Sequence, residues 1–144
     1  MSQSESIEHF KSSARREFEF LQDEYDFSET KLPKNVNEYS VLYENDSTKV
    51  LVEGIHWGSS ARVALGDAKS AKFENYDLGD LLTVLGSQKL SVEEYSKLNQ
   101  IEQLKYFSKA LSKFGKPVLT GDFSYFSKIR KVIEQRALDW EANN

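Results

Sequence analysis

YSVLYENDSTKVLVEGIHWGSSARVALG (Tyr39–Gly66) contains three β-prone runs separated by two polar breaks, and nothing else in the chain reads as strand with comparable strength. In the first run Tyr39, Val41 and Tyr43 alternate with Ser40, Leu42 and Glu44, the two-residue period of a pleated strand. Leu42 among polar neighbours predicts one fully buried face and one partly buried face. Asn45-Asp46-Ser47-Thr48 predicts a reversal, because Asn and Asp tolerate left-handed dihedrals and hydrogen-bond their own backbone. Val50, Leu51, Val52 and Ile55 suit a central strand, with Gly54 as a candidate bulge. Trp57-Gly58-Ser59-Ser60 supplies a second reversal, and Arg62 to Leu65 return along the sheet. A meander this small needs helices over one face to be stable.

Working outward, Ile7, Phe10, Ala14, Phe18, Leu21 and Tyr25 recur at spacings of three and four and predict an amphipathic helix from about Ser4 to Tyr25. Phe27 to Asn37 reads as a connector, since Pro33 forbids a continued helix. Beyond the meander, Asp67 to Asn75 reads as a polar link in which Ala71-Lys72-Phe73 suits a short edge strand. Asp77 to Gly86 then predicts a two-turn helix with Asp77 as its N-cap. Ser91 and Glu94 form a capping box ahead of a helical stripe from Tyr95 to Phe114, which Asn99 divides into a short and a long piece. Gly115 and Pro117 stop it. Asp122 caps a last helix with Phe123, Phe126, Ile129, Ile133, Ala137 and Trp140 along one stripe. The expected fold is α+β: an N-terminal helix, a three- to four-stranded antiparallel meander, and a helical C-terminal half packed on one face of the sheet. Length predicts one domain over residues 1–144.

Composition narrows the chemistry. The chain is 39% hydrophobic and 12% aromatic, enough apolar surface to offset chain entropy. It has no cysteine, which removes disulfides, thiolate nucleophiles and zinc-thiolate sites together. MSQSESIEHF lacks the basic and apolar regions of a signal peptide, and no apolar run is long enough to span a bilayer. A cytoplasmic protein without membrane contact is the expectation. Residues 1–90 carry 16 acidic against 10 basic side chains and residues 91–144 carry 7 against 9, so the front is acidic and the back mildly basic.

No phosphate loop, dinucleotide fingerprint, nucleophile elbow or metal-binding helix is present, and no cofactor or metal is expected. His9 stands beside Glu8 on the first helix. His56, at a strand end with Glu53 and Asp67 as candidate carboxylates, is the alternative active site of a small hydrolase or metal-dependent enzyme. Alternation sets Glu53 and His56 on opposite faces unless Gly54 bulges. Lys105, Lys109 and Lys113, with Lys116 just beyond, form a lysine stripe that offers a weak nucleic-acid footprint. A solvated helix face explains it better, since cations belong near a helix C-terminus. Asp23, Glu24, Asp26 and Glu29 crowd the C-terminal end of the first helix, where the dipole disfavours carboxylates. Trp57 is a candidate aromatic anchor for a partner or a cover for the sheet end.

Taken together, Tyr39–Gly66, DLGDLLTVLG (Asp77–Gly86) and GDFSYFSKI (Gly121–Ile129) give the chain a resemblance to small bacterial α+β proteins that include many immunity proteins encoded beside polymorphic toxins. That resemblance covers the arrangement of most of the chain and carries no catalytic residues. It implies a non-enzymatic protein that binds and blocks another protein, a basic one if the acidic surface is used.

Overall fold

The computed structural model describes residues 2–56, 59–70, 76–86 and 90–143, with Val92 described in its backbone alone. Five strands form one sheet in sequence order, β1 (Ser28–Thr30), β2 (Ser40–Glu44), β3 (Thr48–Ile55), β4 (Ser60–Asp67) and β5 (Tyr76–Asp77), and every neighbouring pair is antiparallel. The three runs of the meander are therefore the three central strands. Two short edge strands add to them. Ser28–Thr30, inside the expected connector, pairs with β2, and Tyr76–Asp77 pairs with β4. The expected edge strand at Ala71 to Phe73 lies outside the described residues, as does Trp57.

The β3–β4 ladder runs without interruption from Thr48↔Asp67 to Ile55↔Ser60, so Gly54 sits in register opposite Ala61 and makes no bulge. Its N–H donates to Tyr39 C=O at 2.6 Å, which continues the β2–β3 pairing. The left-handed backbone falls instead on His56, with φ 52°, where the chain leaves β3.

Seven helices follow or precede the sheet among the described residues. α1 (Gln3–Glu17) and α2 (Phe20–Tyr25) replace the single first helix expected. Phe18 ends α1 at φ −104°, ψ 16°, yet the stripe keeps its phase through the break: Phe10, Ala14, Phe18 and Leu21 are all fully buried. α3 (Leu78–Val84) starts at Asp77, whose side chain accepts from Gly79 N–H at 2.7 Å. α4 (Val92–Ser96) and α5 (Gln100–Phe114) each begin with a capping box, Ser91 with Glu94 and Asn99 with Glu102. The short α6 (Lys116–Leu119) and the long α7 (Phe126–Ala142) complete the chain.

Pleat geometry divides the side chains. Val41, Tyr43, Val50, Val52, Val63 and Leu65 point to one face and are buried in the main core. On that face α1 packs against β2 and α5, α5 against β4, and α3 against β4 and α7. Leu42, Leu51 and Ala64 point the other way and form a smaller cluster that Leu32 and Val36 cover. Burying a Val or Leu side chain stabilises by about 1.5–3 kcal/mol each, so the helix face carries most of the stabilisation.

α7 departs from its sequence reading at both ends. Asp122 Oδ1 accepts from Ser124 N–H at 3.0 Å in a local turn, and the helix starts four residues later than its expected cap. Of the expected apolar stripe, Phe126 and Ile129 are buried, whereas Ile133 and Trp140 are 40% and 68% exposed. The helix has 17 residues and the α3 it packs on has 7, so its C-terminal half overhangs.

Candidate functional site

Of the recesses formed by the described residues, two sit at opposite ends of the sheet. The first gathers residues from the acidic stretch. Asp26 closes α2 in a left-handed conformation, φ 58°, and its neighbour Tyr25 presents a free-ending carbonyl to the β2–β3 turn. Asn45 in that turn ties three segments together. Its Nδ2 donates to Tyr25 C=O at 2.9 Å and to Leu119 C=O at 3.2 Å, while its Oδ1 accepts from Ser47 N–H and Thr48 N–H. Thr48 Oγ1 donates to Val118 C=O at 2.7 Å. Gly121 packs against the same turn with φ 99°, and a Cβ there would stand 3.0 Å from Ser47 Cβ, so both the dihedral and the close approach require glycine.

These ties fix a recess of about 260 Å³ lined by Glu24, Asp26, Asp46 and Thr120. Among the described residues no ion pair involves Asp23, Glu24, Asp26 or Asp46. Glu29 differs. It is committed to Arg15, whose Nε and Nη2 donate to its two oxygens at 2.8 and 3.0 Å. That hydrogen-bonded guanidinium lowers the Glu29 carboxyl below its usual value. Glu29 therefore belongs to the joint between α1 and β1 rather than to an open acidic surface.

The alternative active site does not assemble. His56 lies just past one end of β3, and Asp67 is paired with Thr48 at the other end of the ladder. Seven strand steps separate the two ends, about 23 Å. Glu53 faces the outer side of the sheet, where it binds Arg62 Nη1 at 3.3 Å and Asn37 Nδ2 at 3.3 Å. With Gly54 unbulged, the register gives His56 no carboxylate partner from this pair. Among the described residues, no group of three or more His, Asp or Glu is placed to hold a metal ion. His56 has a conformational role instead: His is among the residue types enriched at positive φ, and its carbonyl accepts from Ser59 N–H and Oγ. Lys105, Lys109 and Lys113 on α5 and Lys116 at the start of α6 are all exposed, and Lys113 Nζ lies over the Phe114 ring.

The second site was absent from the sequence reading. A cleft of about 760 Å³ opens where α3, α4, α5 and α7 meet the β3–β4 end of the sheet. Tyr95, Tyr106 and Phe107 form one wall, with ring centroids 5.3–6.3 Å apart. The other side is charged. Arg62 Nε donates to Asp77 Oδ2 at 3.1 Å, and Arg136 Nη2 donates to the buried Asp80 Oδ1 at 2.6 Å. Tyr95 donates its hydroxyl proton to Ala61 C=O, and burial pushes its ionisation up to about 12. No run of sequence signals this cleft, because its residues come from seven elements and meet only after folding. Comparison of the chain with protein-family models, with curated proteins and with solved structures returned no match.

Proposed function

We propose that the chain is a non-enzymatic binding module that engages a basic protein through the recess at Glu24, Asp26 and Asp46, acting as an inhibitor or immunity protein. One observation carries this reading: three carboxylates from two segments converge on a recess held by Asn45, without a cation in an ion pair among the described residues. Uncompensated like charge costs the fold, and a cationic partner removes that cost while the field speeds its approach. Asp23 stands on the exposed side of α2 and extends the acidic surface.

The test is reversal of charge with the backbone respected. Glu24→Lys and Asp46→Lys change exposed side chains, while Asp26→Asn keeps a residue that tolerates φ 58°. The partner is first identified by capture from source lysate at low and high salt, then purified for titration. The triple variant is expected to bind it at least about tenfold more weakly at low salt, with a flatter salt dependence and an unchanged melting temperature. Wild-type affinity in the triple variant overturns the recess as the binding surface.

A further inference from the structure

We propose that the cleft between the β3–β4 end of the sheet and helices α3, α4, α5 and α7 binds a small organic cation, an amine carried on an aromatic or apolar body. Its volume, about 760 Å³, is that of a small-molecule site. The sign of the ligand follows from the charged side. Of the residues that line the cleft, Arg62 is bound by Asp77 and Arg136 by Asp80, so each guanidinium already has its carboxylate. An anion entering the cleft must compete with those carboxylates for the guanidiniums, and a neutral apolar body strips water from the carboxylates without replacing it. A cation meets neither obstacle.

Hydrogen-bonding capacity points the same way. Asp80 is buried, and among the described residues only Arg136 binds it, through Oδ1, which leaves Oδ2 able to accept from an ammonium. Tyr106 and Phe107 line the cleft, and an aromatic ring attracts a cation through its quadrupole while its surface packs an apolar body. The Tyr106 hydroxyl accepts from Leu90 N–H at 3.2 Å, which holds that ring in place. This site lies at the opposite end of the β3 strand from the acidic recess and stands or falls independently of it.

The ligand committed to is a free small molecule; a lysine side chain of a protein brings the same ammonium group, and the experiment separates the two. Phenethylammonium chloride, 3-phenylpropionate and the tripeptide Gly-Lys-Gly are titrated into the full chain, with amide and ring resonances of Ala61, Tyr95 and Tyr106 as the readout. The amine is expected to shift those signals and to bind at least about tenfold more tightly than the acid. Asp80→Asn is expected to weaken the amine about tenfold, and Tyr106→Leu by about three- to thirtyfold. Arg136→Gln acts in the opposite sense and tightens it, which keeps the test decisive even where the loss of the Asp80 charge impairs folding. Equal affinity for amine and acid, or an Arg136→Gln variant that binds the amine no better, overturns the proposal. Tighter binding of the tripeptide than of the amine overturns it in favour of a protein-borne cation. The Glu24→Lys, Asp46→Lys variant retains amine binding, so failure here and failure at the recess are distinguishable.

Discussion

Ala61 shows how single side chains complete a sheet that is too short at its edge. Among the described residues β5 pairs with β4 at Ala64 and Leu65, and none supplies a strand opposite the outward N–H and C=O of Ala61. Gln103 Oε1 accepts from that N–H at 2.7 Å, and the Tyr95 hydroxyl donates to that C=O, so α5 and α4 supply the two groups an added strand would have offered. Gln103 Nε2 is in turn held by Leu98 C=O at 3.0 Å. Gln103→Leu keeps the bulk and removes the acceptor, leaving a buried N–H unpaired. It is expected to lower unfolding free energy by about 1–3 kcal/mol in urea titration, and an unchanged midpoint refutes the role. A glutamine amid an apolar stripe gives no sign of this in sequence, because its partner is 42 residues away. His56 was legible as a strand-end residue but not in its role. Its φ of 52° makes it a turn former, and no periodicity reports a dihedral.

At the scale of elements, the central strands were readable because Val50, Val52, Val63 and Leu65 alternate with less apolar neighbours over eight residues each. The edge strands were not, since three residues in β1 and two in β5 hold too little period to register. The break between α1 and α2 was hidden for a related reason: Phe18 and Leu21 stay in phase across it. β1 then owes its attachment partly to Arg15, which reaches from α1 to Glu29. Both side chains are partly exposed, so the pair is expected to contribute about 0.2–1 kcal/mol in a double-mutant cycle of Arg15→Gln and Glu29→Gln. Because the Arg15 guanidinium holds the Glu29 carboxyl below its usual value in the folded chain, this contribution is complete above the carboxyl's unfolded pKa and disappears as pH falls through the lower folded value. A cycle repeated at successively lower pH checks the sign: coupling that grows as pH falls contradicts it.

For the whole molecule, burial is graded from the centre outwards. β3 has a paired strand on each side, the helix layer on one face and the Leu32–Val36 cover on the other, whereas the second half of α7 overhangs into solvent. Native-state hydrogen exchange is expected to follow that gradient, with Val50 to Val52 exchanging only through global unfolding and residues 134–142 exchanging first. Protection of residues 134–142 equal to that of Val52 contradicts the gradient. The two concave sites occupy the two ends of the sheet, and they differed in legibility. The acidic one was visible in part because Glu24 and Asp26 are near neighbours in the chain; the cleft was not, since Arg62, Asp77 and Arg136 are brought together from distant segments.

The sequential strand order also sets a timetable for synthesis. Each strand pairs with the one made just before it, so the sheet is complete once Asp77 has been added. The longer of the two helices that pack on β4, α5, ends at Phe114, about 37 residues later, and ribosomes adding about 5–20 residues per second take about 2–7 s to reach it. Through that interval the apolar side of the nascent sheet has only α1 and α2, and then the short α3, to shelter it. This is the period in which a chaperone, or an aggregate, competes for Val63 and Leu65.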